Sequence, residues 1–152
     1  METTLDPVDL RILKLLQANA RISNADIARE VNMAPSAVLE RVKKLEQKKV
    51  IKQYNTAIDS SSVGQRLLAF IFIKSKEGFT CSSETAASLA AIPEVQEVHH
   101  IAGEDCFLVK VRTADSASLM SLMRNSLQKI PNILSTKTTI VLETVKEDQQ
   151  LV

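Results

Sequence analysis

Apolar positions along this chain recur in two rhythms, and the change from one to the other divides it. Over the first fifty residues the spacing is helical. Leu5, Val8, Ile12, Leu15 and Leu16 fall three and four apart, with Asp6 to cap, Pro7 in the first turn and Asp9 at the positive end of the dipole. This predicts a first helix that ends around Asn19-Ala20-Arg21. Ser23-Asn24-Ala25-Asp26 has the form of a capping box, opening a second helix with Ile27, Ala28 and Val31 inward. Asn32 tolerates a left-handed backbone, and the three residues before Pro35 match the elbow of a helix-turn-helix. A third helix follows, with Val38, Val42 and Leu45 at i, i+4 and i+7 as its buried stripe. Beyond it Val50-Ile51-Lys52-Gln53-Tyr54 turns β-like, as a short wing or a first strand, and Ser60-Ser61-Ser62-Val63-Gly64 reads as a linker.

From Leu67 the rhythm changes. Leu67-Leu68-Ala69-Phe70-Ile71-Phe72-Ile73 is apolar on both alternating faces, which predicts a strand covered on both sides. A helix over residues 82–91, strands over 95–102 and 106–112 joined by Gly103-Glu104-Asp105, a helix capped by Asp115, and a last strand over 133–142 follow. Leu119, Leu122, Met123, Ser126, Leu127 and Ile130 make the inner face of that second helix. The pattern L-x-x-I-P-x-[V/I] occurs at Leu89–Val95 and again at Leu127–Ile133, each proline ending a helix before a strand. Two such halves fit a ferredoxin-like β-α-β-β-α-β unit with helices on one face. Its other face then needs a cover, and a second copy supplies one. The fold class is α+β, with a helix-turn-helix domain at residues 1–52, a β-linker at 53–64 and the βαββαβ domain at 65–152.

Charge sharpens the reading of the third helix. The net charge of +1 hides ten Lys/Arg against seven Asp/Glu in residues 1–56 and nine against eleven in the rest. Residues 40–52 alone hold six cations and two anions, so the positive field lies where this helix would meet a polyanion. Ser36 and Ala37 allow close approach to bases. Ser36, Ala37, Glu40 and Arg41 are therefore assigned to a DNA major groove, with Lys43, Lys44 and Arg21 towards phosphates and Pro35, at the start of the helix, also in the DNA-binding set. Arg41 is the expected base reader, through bidentate bonds to guanine, and Glu40 reads cytosine or orients Arg41. A solvated cationic face is the plainer alternative for Lys43 and Lys48. The excess of charge is modest, which calls for two or more copies acting together.

Other chemistry is sparse. Cys81 and Cys106 lie 25 residues apart with no CxxC and no histidine pair in metal spacing, and are expected as two reduced thiols packed as small hydrophobes. His99 and His100 are adjacent, so a strand points them to opposite faces and they make no metal site. No metal or cofactor is expected. With 45% hydrophobic and 24% charged residues, no apolar run of membrane length and no signal peptide, the chain reads as a cytoplasmic globular protein without membrane contact.

Leu5-Asp6-x-x-Asp9-x-x-Ile12-Leu13, Arg21-Ile22-Ser23, Ala34-Pro35-Ser36 and Leu39-Glu40-Arg41-Val42-Lys43-Lys44-Leu45-Glu46 together resemble the Lrp/AsnC family of feast/famine regulators. So do Gly103-Glu104-Asp105-Cys106-Phe107-Leu108 and Thr136-Lys137-Thr138, so the resemblance runs over nearly the whole chain. It implies a winged helix-turn-helix joined to a RAM-type ligand-binding and dimerisation domain. It also implies homodimers that assemble further, commonly to octamers, and an amino-acid effector at subunit interfaces near the turn between the second and third strands. Three departures stand out against the family pattern. Ala34 replaces the usual serine cap, so that Ser36 is an alternative start of the third helix. Lys49 stands where a glycine usually follows that helix, and Cys106 where the turn often carries an acid, leaving Asp105 beside it.

On that basis the effector residues are His100, Ile101, Ala102, Gly103, Glu104 and Asp105, whose turn offers backbone groups and carboxylates to a zwitterion, with Thr136 and Thr138 supplying hydroxyls. The plain alternative is a simple hairpin turn and strand-filling threonines. Double-stranded DNA and a small effector, expected to be an amino acid, are the partners. An effector-independent dimeric repressor is a second reading. An enzyme is not expected; an architecture shared with sirohaem decarboxylases, in which His99 or His100 would serve a tetrapyrrole, is a third and more remote one.

Overall fold

The computed structural model describes residues 4–76 and 81–152, which fall into two compact units, Met1–Ala57 with Lys146–Val152, and Ile58–Val145. In the first, α1 (Pro7–Ala18), α2 (Asn24–Val31) and α3 (Pro35–Gln47) enclose Ile12, Ile27, Ala28, Val38, Val42 and Leu45. Ile12, Ile27 and Val38 are wholly buried, and burying each such side chain stabilises by about 1.5–3 kcal/mol. The starts of the helices follow from their caps. At α1 the box is reciprocal: Asp9 N–H donates to Asp6 Oδ1 at 2.8 Å and Asp6 N–H to Asp9 Oδ2 at 3.4 Å. At α2 the Ser23 hydroxyl accepts from Asp26 N–H at 3.1 Å, and Asn32 closes the helix in the left-handed region at φ 56°.

The third helix starts at Pro35 rather than Ser36, with Ala34 in the cap position and no side-chain cap bond. The proline ring has already set the helical φ, so no side-chain cap is required to begin the turn. Ala34→Ser is therefore expected to stabilise the protein by about 0.5–2 kcal/mol, read as a raised urea midpoint at unchanged slope.

Residues 50–54 form no strand. Lys49 takes φ 57°, the left-handed turn that usually falls to glycine, and Val50 N–H and Ile51 N–H both donate to Leu45 O, at 2.9 and 3.2 Å. Their amides end α3 and are spent there, while their side chains pack on the helical core. Residues 146–152, expected at the end of the second domain, cluster with this first unit. Gln17 Oε1 accepts from Leu151 N–H at 3.2 Å and Val152 N–H at 3.0 Å.

The second unit is β1 (Leu67–Ser75), α4 (Ser83–Ala90), β2 (Val95–His100), β3 (Phe107–Thr113), α5 (Ser116–Asn125), a 3-10 turn (Leu127–Lys129) and β4 (Ile133–Ile140). The sheet order is β2-β3-β1-β4, every pair antiparallel. Registers Ile71↔Val109 and Ala69↔Val111 put these residues on the same face, where they share a core with Leu89 of α4 and with Leu119 and Leu122 of α5. The opposite face carries Leu68, Phe70, Phe72, Leu108, Lys110 and Arg112, with Lys137 Nζ 4.7 Å from the centre of the Phe72 ring. The serine run ahead of β1 is a closed turn rather than an open linker. Asp59 Oδ2 accepts from Ser62 N–H and from its hydroxyl, at 2.8 and 2.6 Å, and Gln65 N–H donates to Ser60 O at 2.8 Å.

The expectation of two reduced thiols is corrected here. Cys81 and Cys106 form a disulfide, Cα–Cα 6.0 Å. A separation of 25 residues carries no distance information; antiparallel pairing of β3 against β1 and the placing of α4 bring the two positions together.

Candidate functional site

Helical geometry decides what α3 shows to solvent. With Val38, Val42 and Leu45 buried, the opposite side carries Ser36, Glu40, Lys43, Lys44 and Gln47, all exposed. Pro35 is exposed at the helix start, Ala37 is half-buried on the flank, and Arg21, in the turn before α2, is exposed, its N–H bonded to Asn19 Oδ1 at 3.0 Å. Gln47 escaped the sequence reading although it lies seven residues after Glu40, on the same side. A glutamine there has the donor–acceptor pair that matches adenine. Leu39, 40% exposed, is a further apolar residue on the rim of this surface.

Arg41 is placed differently from the expectation. Its Nη1 donates to Asp6 Oδ2 at 2.6 Å and to Asp9 Oδ1 at 2.8 Å, and its side chain is half-buried. The expected base reader is thus occupied in holding α3 against the start of α1. The reason lies in spacing: Arg41 comes three residues after Val38 and four before Leu45, so it borders the buried stripe rather than the outer face. Glu40 makes no bond to Arg41 and is open to solvent, so it does not orient that guanidinium. Asp9, Ala37, Glu40, Arg41 and Lys44 line a shallow hollow of about 270 Å³.

The Asp9 N–H bonded to the Asp6 carboxylate, and then the Arg41 guanidinium, hold Asp6 below its ordinary value of 3.8. A depressed carboxylate stabilises the fold above its unfolded value and loses that contribution as pH falls through its lower folded value. Asp6→Asn keeps a good cap but removes the charge. The stability advantage of the wild type over this variant is thus expected in full at pH 6 and to vanish in urea titrations well below pH 3.8.

In the second unit the turn after β2 is anchored at its base. Ile101 N–H donates to Cys106 O at 3.0 Å, and Cys106 N–H donates to Ile73 O at 2.8 Å. Ala102, Gly103 and Glu104 are exposed, while Ile101 and Asp105 are half-buried. Thr136 and Thr138 do share a face of β4, opposite Ile73 and Ile71, and Thr138 Oγ1 donates to Met123 Sδ at 3.6 Å. They do not join the turn within one subunit. His100, Phe107, Ile73 and Thr136 form a single row across the sheet, so three strand spacings, roughly 14 Å, separate His100 from Thr136. Thr136 instead lines a cleft of about 380 Å³ with Met120, Met123, Arg124, Leu127 and Ile133, of which helical spacing marks Met123 and Leu127 as inward and gives no signal for Met120 or Arg124.

The two histidines diverge, since His99 pairs with Leu108 and His100 with Phe107 in the register. His99 Nε2 lies 2.9 Å from Glu97 Oε2, and the His100 ring lies 5.4 Å from that of Phe107. Glu97 is held below the usual carboxylate range, by His99 first and then by Lys110, whose Nζ lies 3.3 Å away. Among the described residues no group of three or more His, Cys, Asp or Glu is placed to hold a metal ion.

This geometry matches known proteins over both units. Residues 5–52 match the model of a winged helix-turn-helix DNA-binding domain, and residues 68–151 that of the Lrp/AsnC ligand-binding domain. The chain is 36% identical to the leucine-responsive regulatory protein of Haemophilus influenzae, over 97% of this chain and 90% of that protein. It is also 36% identical to the HTH-type transcriptional regulator FL11 of Pyrococcus horikoshii, over 99% and 98%. Among solved structures, a Neisseria meningitidis transcriptional regulator in complex with L-Met superposes with a TM-score of 0.90 at 28% identity, over 98% of this chain and 97% of that one. A feast or famine regulatory protein from Mycobacterium tuberculosis, complexed with L-methionine, gives 0.89 at 30% identity, over 97% and 99%. With both domains matched in order, and a helix-turn-helix whose third helix is cationic on its open side, this chain belongs to the Lrp/AsnC family of DNA-binding transcriptional regulators.

Proposed function

We propose that α3 enters the major groove by its outer face, with Ser36, Glu40 and Gln47 towards base edges and Lys43, Lys44 and Arg21 on phosphates. The observation that carries this is the burial of Val38, Val42 and Leu45, which leaves the small and cationic side of the helix in solvent. Pro35 sets the entry of the helix, and Ala37 keeps its flank narrow enough for close approach. Arg41 acts as a positioning residue through Asp6 and Asp9, keeping the α3 axis fixed relative to α1.

The protein acts as a homodimer in the cytoplasm and assembles further, to octamers. Half-buried Phe70, Phe72 and Leu108 on the face of the sheet opposite α4 and α5 support pairing of two copies there, and two copies supply the charge one α3 lacks. The effector is an amino acid, as the L-Met bound to two structural relatives supports. Its recognition uses the turn His100-Ile101-Ala102-Gly103-Glu104-Asp105 together with Thr136 and Thr138. Because the turn and Thr136 stand roughly 14 Å apart in one subunit, a single small ligand meets both only where two copies come together. Binding then favours one assembly over another and so changes DNA affinity. The role is regulatory rather than catalytic.

Selection from randomised duplexes, followed by sedimentation with and without each amino acid, tests this reading. The expected result is enrichment of a two-fold symmetric site and a shift of assembly with at least one amino acid. No enrichment contradicts the DNA-binding role, and no shift with any of them leaves a dimeric repressor without effector.

A further inference from the structure

We infer that Cys81 and Cys106 are a reversible thiol–disulfide site that controls the order of the 101–105 turn, and so couples the protein to the redox state around it. This rests on the reading of that turn as an effector element and of the protein as cytoplasmic. Cys106 directly follows the turn and closes its base: its carbonyl accepts from Ile101 N–H and its own N–H donates to Ile73 O. Its side chain is 5% exposed and belongs to the sheet core. Cys81 is more accessible and stands just before Ser82, the cap of α4. The bond therefore ties the turn to the entry of a helix, across a segment that holds all of α4 and β2.

In a reducing compartment a disulfide is seldom a permanent brace; where one forms, it is a sensing or transient one. The two positions suit unequal roles. Cys81 stands one residue before the Ser82 cap, beside the positive end of the α4 dipole, which favours a thiolate there, whereas Cys106 is buried and follows Glu104 and Asp105. With glutathione disulfide as oxidant, the Cys81 thiolate attacks one of its sulfurs, forming a mixed disulfide and releasing one glutathione thiolate. The Cys106 thiolate then attacks Cys81 Sγ, closing the protein disulfide and releasing the second glutathione. Two electrons pass from the protein thiols to the reagent, and the two protons leave with the two glutathiones. Excess glutathione reverses both steps.

The full chain equilibrated in glutathione buffers of graded potential provides the test, with thiol alkylation read by mass and amide exchange read over residues 101–105. The expected result is one two-electron transition, with turn amides exchanging about tenfold faster in the reduced form. Cys81→Ser should show the faster rate at every potential, and the oxidised and reduced wild type make the same comparison without a mutation. Equal turn exchange in both forms, or a pair that stays reduced in every buffer, overturns the inference. Selection of a duplex by both forms alongside such a result would leave the regulator reading intact. Failure of both forms to select one, with the turn still redox-sensitive, would overturn that reading and spare this inference.

Discussion

Replacing Lys43 and Lys44 together by alanine lowers affinity for a selected duplex by roughly a hundred- to a thousandfold near 0.15 M salt, with folding unchanged. Both side chains are exposed on the outer side of α3 and make no ion pair among those of the described residues. A dimer loses four phosphate contacts by the double replacement, and each contact contributes about 0.9 to the slope of log K against log salt. The slope should therefore fall by roughly 3.6. Fluorescence anisotropy over a salt series measures both quantities. An unchanged slope would mean that these lysines form a solvated face and that another surface meets the DNA. Because the contacts are to phosphates, the ratio of specific to nonspecific binding should move far less than the affinity itself.

The second large effect concerns stability. Breaking the Cys81–Cys106 bond is expected to cost the oxidised protein about 3–4 kcal/mol, the loop-closure value for residues 25 apart in sequence. The bond acts mainly by limiting the unfolded chain, so the folded sheet should survive its loss. Urea titration of the oxidised wild type against Cys81→Ser reads the difference, and a gap below about 1 kcal/mol would show that native-state strain cancels the constraint. The same pair of proteins reports on the helix-turn-helix unit, whose own core of Ile12, Ile27, Val38 and Leu45 contains neither cysteine and should be untouched.

Periodicity carried the architecture and stopped short of tertiary contacts. The stripe at Val38, Val42 and Leu45 marks a helix packed on two others, and all three side chains are buried in the structure. Leu67–Ile73 reads as a strand apolar on both faces, and β1 carries buried Ala69, Ile71 and Ile73 on one face and half-buried Phe70 and Phe72 on the other. What escaped depended on pairs of residues far apart in the chain. Arg41 looked free because Asp6 and Asp9 stand more than thirty residues earlier. The cysteines looked separate because the fold, and not their spacing, joins them. Val50-Ile51-Lys52-Gln53-Tyr54 has β-type residues, yet a local competitor, the Leu45 carbonyl, takes the amides of the first two. The Asp59 carboxylate closes the serine run in the same way, turning a flexible composition into a bonded turn. For the effector, the alternation of Thr136 and Thr138 was legible, whereas the distance between β4 and the turn needed the order of the strands.

Operator recognition by this protein requires above all that the outer side of α3 lie against DNA. A photo-reactive benzoylphenylalanine placed at Glu40, compared with the same group at the exposed Glu84 of α4, measures this most directly on the full-length protein bound to a selected duplex. The expected result is a crosslink from position 40 to bases that line the major groove and none from position 84. A crosslink from position 84 with none from position 40 would contradict it.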